Sequence, residues 1–398
     1  MFWSHLAYCL GKETIAKERT RSTMNTLFVK LKHFIQKETV LCAAFVLAVL
    51  SSLIVTPDAT YLSYIDWNTL LLLFSLMAVM AGFQKLGIFK TIGSKLLSKT
   101  KNTRQLLLVL TFLPFFFSMI ITNDVALITF VPFAIIVLRL SCQEHLLVPL
   151  VVLQTLAANL GSMFTPMGNP QNLYLYAKSG ISLFTFLQLM FPYTIASGLC
   201  LLAVIFIMKK NSLDITNLTL DTCFHANTLK LLCFSIGFVL CLLCVAKILV
   251  PIVAATIILF YLVFTDRALL KKIDYSLLGT FLCFFIFIGN MGRIEQFCTL
   301  LKQLLIGQEH IVAILSSQII SNVPAALLLS GFTDRFEALI VGTNLGGLGT
   351  LIASMASLIS YKQIVRAYPD RKGQYFLYFT LSNIVLLAIL FFISMLIS

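Results

Sequence analysis

The sequence predicts an all-α polytopic membrane protein made of two related halves with opposite orientation in the bilayer. Three observations lead there. First, 59% of the residues are hydrophobic and 11% charged, against roughly 45–50% and 25% in soluble domains. Second, the apolar residues fall in long blocks near the ~20 residues that a spanning helix needs. Third, a set of polar interruptions recurs in the same order in both halves.

Apolar blocks place helices near 39–56 and 67–84, followed by a linker with Lys85, Lys90, Lys95, Lys99, Lys101 and Arg104 but no acid. The loop before it holds Asp58 and Asp66 but no basic residue. Lys and Arg concentrate in cytoplasmic loops, so the N-terminus and residues 85–105 are expected inside and loop 57–66 outside. Lys209–Lys210, the Arg267/Lys271/Lys272 group and the Arg366/Arg371/Lys372 group belong inside as well. An apolar pair (106–121, 125–139) then enters and leaves on the inner side. An interrupted block (146–177) crosses outward and 187–208 returns. In the second half, 229–248, 250–265 and 275–292 precede a short pair (310–321, 323–332) that enters from outside. A second interrupted block (336–360) and a last span (374–397) follow, leaving the C-terminus outside.

The expected organisation is therefore a basic cytoplasmic segment (1–38), a first half (39–210), a cytoplasmic linker (211–228) and a second half (229–398). The hairpin and broken helix fall at 106–139 and 146–177 in the first half, and at 310–332 and 336–360 in the second. Met24 is a possible alternative start. No span is short or flanked in the manner of a cleaved signal peptide. The +13 net charge follows from the positive-inside pattern and does not call for nucleic acid. The ten Cys and five His show no metal-ligand or disulfide spacing.

Matches between the halves are specific. Ile65-Asp66-Trp67 recurs as Ile273-Asp274-Tyr275, and Thr122-Asn123 as Ser321-Asn322. Asn159-Leu160-Gly161 with Thr165 recurs as Asn344-Leu345-Gly346 with Thr350. Charge places each element on opposite sides in its two appearances. Such inverted repeats characterise secondary transporters. The legs of the second pair would reach only about 15–17 Å at 1.5 Å per residue, so its tip should stop near the midplane. The first pair is assigned as re-entrant by analogy.

Unpaired backbone groups cost several kcal/mol in hydrocarbon, so irregular backbone is tolerated only against a cavity or inside protein. The run from Asn159 to Asn172, including Gly161, Ser162, Thr165, Gly168 and Asn169, therefore predicts a broken helix. Gly342 to Thr350, with Thr343, Asn344 and Gly346, is its counterpart. Helix N-termini at such breaks suit an oxyanion, and unwound carbonyls suit Na⁺. No Lys or Arg lies deep in a span. Asp124 is the deep acid; intramembrane carboxylates mark ion or proton paths, and capping of the helix after 124 is the structural alternative. An intramembrane enzyme would need a nucleophile–base pair or metal ligands, and the spans offer neither a His pair nor a second carboxylate. A receptor or scaffold would not need two broken helices.

The segments Thr122-Asn123-Asp124-Val125-Ala126-Leu127 and Gly161-Ser162-Met163-Phe164-Thr165-Pro166-Met167-Gly168-Asn169-Pro170-Gln171-Asn172 resemble the signatures of the ion-transporter superfamily. That group includes citrate and dicarboxylate transporters, arsenite permeases and some sodium/proton antiporters. The resemblance spans residues 40–398. It implies about eleven spans, two hairpins entering from opposite faces and a homodimer with a scaffold and a moving transport domain. In the dicarboxylate branch each tip reads Ser-Asn-Thr and helps bind sodium and carboxylate. Asn123, Ser321 and Asn322 match that pattern and Thr122 matches it in kind, whereas Asp124 and Val323 depart from it. The resemblance implies a plasma- or inner-membrane permease for a small anion, of the citrate or di- or tricarboxylate kind, with Na⁺ or H⁺ coupling. Arsenite or antimonite efflux and Na⁺/H⁺ exchange are the alternatives. Neither a cofactor nor a metal beyond Na⁺ at the tips is expected.

Overall fold

The computed structural model describes residues 38–212 and 228–397, together with Lys32, Phe34 and Ile35. The basic N-terminal segment and most of the linker over 211–228 lie outside the described residues. Among those residues the chain is helical, with one isolated bridge between Asn102 and Ser212. The first half holds α1 (Thr39–Ile54), α2 (Trp67–Lys85), α3 (Ile88–Leu97), α4 (Thr103–Phe117), α5 (Asn123–Leu140), α6 (Leu147–Ser162), α7 (Pro170–Ser179) and α8 (Leu183–Ile207). The second holds α9 (Thr228–Val245), α10 (Pro251–Thr265), α11 (Tyr275–Met291), α12 (Glu295–Leu305), α13 (Glu309–Ile320), α14 (Asn322–Leu329), α15 (Phe336–Gly346), α16 (Met355–Ala367) and α17 (Lys372–Ile397).

Local chemistry sets several of these boundaries. Asp66 starts α2 by accepting the backbone N–H of Thr69 at 3.1 Å, and Asp274 starts α11 by accepting that of Leu277 at 2.9 Å. Both satisfy an amide that a helix leaves orphaned at its start. Pro114 lies inside α4 and supplies no N–H to the carbonyl of Leu110 one turn back. Gln154 on α6 donates to that carbonyl at 2.8 Å instead. The carbonyl that the proline leaves free thus acquires a tertiary partner, and α4 is pinned against α6.

Six helical segments among the described residues are long and apolar enough to cross a bilayer: Trp67–Lys85, Asn123–Leu140, Glu144–Ser162, Leu183–Ile207, Thr228–Val245 and Pro369–Ile397. A seventh arises if α11 and α12, bent by 104°, count as one. Helices α1, α4, α10 and α13 are apolar but shorter. The expected figure of about eleven goes beyond what length and composition alone support. Helices α13 and α14, with 12 and 8 residues, reach only about 18 and 12 Å at 1.5 Å per residue. A hydrocarbon core is ~30 Å thick. Outward faces of α8 and α17 are apolar, with Phe184, Leu199, Phe206, Leu381, Val385 and Phe392 exposed, as lipid contact requires.

Packing exchanges partners between the halves. Helix α1 lies on α11, while α2 lies on α10. Helix α4 packs on α6 as α13 packs on α15, and α7 packs on α15 as α16 packs on α6. Two helices absent from the sequence reading, α3 and α12, occupy matching places after α2 and α11. Both are short and carry polar residues on one side, which hid them among linker charges.

Polar contacts join helix ends that the charge pattern puts on a common side. One set comprises Lys85 with Asp266 (2.5 Å), Arg139 Nε with Tyr368 Oη (2.6 Å), and Arg104 with the carbonyl of Met208 (3.1 Å). The other comprises Arg293 with Asp58 (2.8 Å) and Lys247 with the carbonyl of Ile181 (3.0 Å). Glu309 is buried at the start of α13 and lies 3.9 Å from Arg335.

Candidate functional site

The first broken helix comes apart among Pro, Gly and Asn and the second among glycines, but both breaks fall later than expected. Asn159–Ser162 and Gly342–Gly346 are still helical, and the breaks occupy 163–169 and 347–354. Helix α6 ends at Ser162, a short 3-10 turn covers Pro166–Gly168, and α7 restarts at Pro170. Pro at the first helical position has no N–H to leave unsatisfied. Helix α15 ends at Gly346 and α16 restarts at Met355. The hairpin tips fall between α4 and α5, at Ser118–Thr122, and between α13 and α14, at Ser321.

Two asparagines organise the breaks. Asn159 Oδ1 accepts from Asn123 Nδ2 and Ser354 Oγ, both at 3.1 Å, and Asn159 Nδ2 donates to Ser357 Oγ at 3.2 Å. Asn344 Oδ1 accepts from Asn169 Nδ2 at 3.2 Å, and Asn344 Nδ2 donates to Asn172 Oδ1 at 2.6 Å. The register is shared: Asn169 and Asn172 follow Asn159 by ten and thirteen residues, as Ser354 and Ser357 follow Asn344. Each asparagine therefore bonds into the break of the other half. All six side chains are buried, and burying such groups without partners is costly.

Glycines permit the close approach that this needs. A Cβ on Gly161 would stand 2.0 Å from the backbone oxygen of Phe115, and one on Gly346 would stand 2.6 Å from Ser317 Oγ. Both belong to the Asn-Leu-Gly triplets, and each lets a broken helix rest against its own hairpin.

A cavity of about 180 Å³ lies beside the first break, room for about six waters at ~30 Å³ each. Thr122 and Asp124 at the start of α5, Asn169 and Pro170 at the start of α7, and Met355 at the start of α16 line it. The first residues of three helices thus line one space, and helix N-termini carry partial positive charge. Gln84, Ile128, Lys272 and Asp274 form part of its remaining wall. Asp124 does not cap α5. Thr122 holds that position, and the Asp124 N–H is taken by Asn123 Oδ1 at 2.9 Å. The Asp124 carboxylate has no hydrogen-bond or ion-pair partner among the described residues.

The other expected residues are placed as follows. Ser162 Oγ donates to the carbonyl of Asn159 at 2.9 Å, Gly168 packs on the carbonyl of Ser162, and Thr165 Oγ1 donates to that of Met119. Ser321 and Asn322 sit at the second break, where Asn322 N–H donates to the carbonyl of Ala353 at 3.0 Å. Thr343 Oγ1 is spent on Leu339 of its own helix at 2.7 Å. Thr350 is exposed and bonds to Gln318. Neither Ser321, Asn322, Thr343 nor Thr350 lines the 180 Å³ cavity.

Four contributors escaped the sequence reading. Ser354 and Ser357 were detectable from the shared offsets, but Ser in place of Asn disguised them. Gln154 was detectable from Pro114. Gln318 Nε2, which donates to the carbonyls of Gly346 and Leu348 at 2.9 Å each, left no signal in sequence, since its targets lie 28 and 30 residues away.

Residues 27–334 match the model of a family described as citrate transporter. The chain is 33% identical over 302 residues to an uncharacterized transporter of Methanocaldococcus jannaschii, covering 75% of this chain and 81% of that one. It is 28% identical over 305 residues to the inner membrane protein YbiR of Escherichia coli, covering 75% and 80%. Similarity to the silicon efflux transporter of Oryza sativa subsp. japonica is 32% over 144 residues, 36% of this chain and 29% of that one.

Proposed function

The chain belongs to the citrate transporter family, and on that premise we propose that it is a secondary active transporter of a small oxyanion, of the citrate or di- or tricarboxylate class, coupled to Na⁺ or H⁺. The observation that carries this is that the first residues of three helices line one small cavity. Aligned amides and helix dipoles stabilise an oxyanion without a buried arginine, and half-helix termini at a break are the usual means in transporters. In this reading the exchanged packing of the halves is an inverted repeat. The hairpins are re-entrant, the N-terminus is cytoplasmic and the C-terminus external. Two copies associate in the cell membrane, and rocking or elevator motion of the hairpin-bearing domain gives alternating access. Na⁺ would be held by carbonyls and amides around Asn123 and Asn322.

Uptake of labelled citrate and dicarboxylates into proteoliposomes, with Na⁺ and pH gradients imposed separately, tests this. Uptake should require one gradient and should be lost in the Asn123→Ala plus Asn322→Ala variant. Unchanged uptake in that variant would remove the site assignment.

One observation favours a second reading. Asp124 faces the cavity unpaired, which suits proton carriage and therefore Na⁺/H⁺ exchange or efflux of arsenite or antimonite. Asp124→Asn should then abolish the pH-driven flux, and an intact pH dependence counts against it.

A further inference from the structure

A larger cavity of about 850 Å³ adjoins the one at the breaks, sharing Gln84, Ile128 and Lys272 with it. Lys90 of α3 and Lys272, in the segment before α11, both line it, and no Asp or Glu does. Neither ammonium group has an ion-pair partner among the described residues, although Lys85 nearby is paired with Asp266. Of the residues the two cavities share, Gln84 and Lys272 are polar. Gln84 Nε2 on α2 donates to Thr129 Oγ1 on α5 at 3.2 Å, and both residues line the larger space.

We propose that this vestibule is a second anion site, in which Lys90 and Lys272, one from each half, hold a small multivalent soluble oxyanion on its way to or from the inner cavity. A cleft walled by charge of one sign concentrates ions of the other and raises their local level by roughly 10-fold or more. Two fixed cations across a cavity favour a di- or trianion over chloride, because both charges are engaged together. In this proposal the anion passes between the two spaces by Gln84 and Ile128, which line both. This ligand class rests on the transport reading above. The field of the vestibule does not, so it is tested without transport.

Ile136 is exposed and is among the residues that line the vestibule. The Ile136→Cys variant, in lipid nanodiscs, is reacted with methanethiosulfonates carrying a sulfonate or a trimethylammonium group. Labelling of position 136 is followed by peptide mass spectrometry and normalised to a free thiol. The sulfonate should lead by roughly 10-fold. That lead should shrink in Lys90→Gln and again in Lys90→Gln plus Lys272→Gln. It should survive Lys95→Gln plus Lys271→Gln, which remove the same charge from the same segments without touching the lining. Citrate should slow sulfonate labelling more than sodium chloride of equal ionic strength, and Lys90→Arg plus Lys272→Arg should retain that protection. Equal effects of the two lysine pairs, or citrate acting no better than chloride, would overturn the site. Protection by phosphatidylglycerol over phosphatidylcholine nanodiscs, with none from citrate, would overturn the soluble-anion assignment.

Discussion

The side-chain amide of Asn344 donates to Oδ1 of Asn172 across 2.6 Å, although the two residues stand in different halves of the chain. Asn159 makes the reciprocal connection through Ser354 and Ser357. Replacing Asn344 with Ala leaves Asn169 and Asn172 without this partner, a loss of roughly 1–3 kcal/mol for each buried group left unsatisfied. Thermal unfolding in detergent should show Asn344→Ala and Asn159→Ala both melting below the wild type. A wild-type melting curve for either would show that the network contributes nothing.

The two Asn-Leu-Gly triplets should respond unequally to added bulk. Gly161→Ala drives a methyl into a backbone carbonyl, which cannot swing aside, whereas Gly346→Ala meets the side chain of Ser317 first. Overpacking typically costs about 1–3 kcal/mol, and Gly161→Ala is expected at or beyond the upper end. Fluorescence-detected size-exclusion chromatography after graded heating should rank wild type above Gly346→Ala and Gly346→Ala above Gly161→Ala.

Ser321 carries a strain that its counterpart lacks. Its φ is +73° with ψ 153°, a region used almost only by Gly and costing other residues of order 1–3 kcal/mol. Thr122 sits at φ −65°. Ser321→Gly should therefore raise the melting temperature while lowering anion uptake, if the hydroxyl serves the second tip. Thr122→Gly relieves no such strain and should lower the melting temperature. A Ser321→Gly variant no more stable than wild type would mean that the tip relaxes at no cost.

Acid should loosen one surface latch. The hydroxyl of Thr60, then the guanidinium of Arg293, hold the Asp58 carboxyl below the ordinary carboxylate range. A carboxylate whose pKa falls on folding contributes stability above its unfolded pKa, near 4, and loses it as pH drops through the folded value. Because Asp58 is exposed, salt screens much of the effect. In low salt, the melting-temperature gap between wild type and Asp58→Asn should close as pH falls from 5 to 3. It should also close with salt at pH 7.

Composition, spacing and charge made most of the frame legible. Asp66 and Asp274 announce two helix starts, and the Pro and Gly of 159–172 announce a break, because these features act through their own backbone neighbours. Helices α3 and α12 were lost among linker residues, since amphipathic segments of ten or eleven residues resemble charged loops. Site residues divided in the same way. Thr122, Asp124 and Asn169 reach the cavity from positions that local breaks determine. The triplet register points to Thr343, yet its hydroxyl turns back on its own helix, because Ser and Thr hydroxyls on helices readily bond one turn back. Symmetry with Thr165 points to Thr350, which is exposed. Gln318 and Gln154 act over tertiary distance and left only indirect traces.

The reciprocal asparagine bonds have a consequence for how the chain can be divided. A first half made alone would leave Asn159 without Ser354 and Ser357, and Asn169 and Asn172 without Asn344. A second half alone would bare the matching groups. Each fragment is thus an incomplete mould whose missing face is the other. Split-gene expression should yield stable protein only when both fragments are made in the same cell, and a lone half should persist only by pairing with its own duplicate.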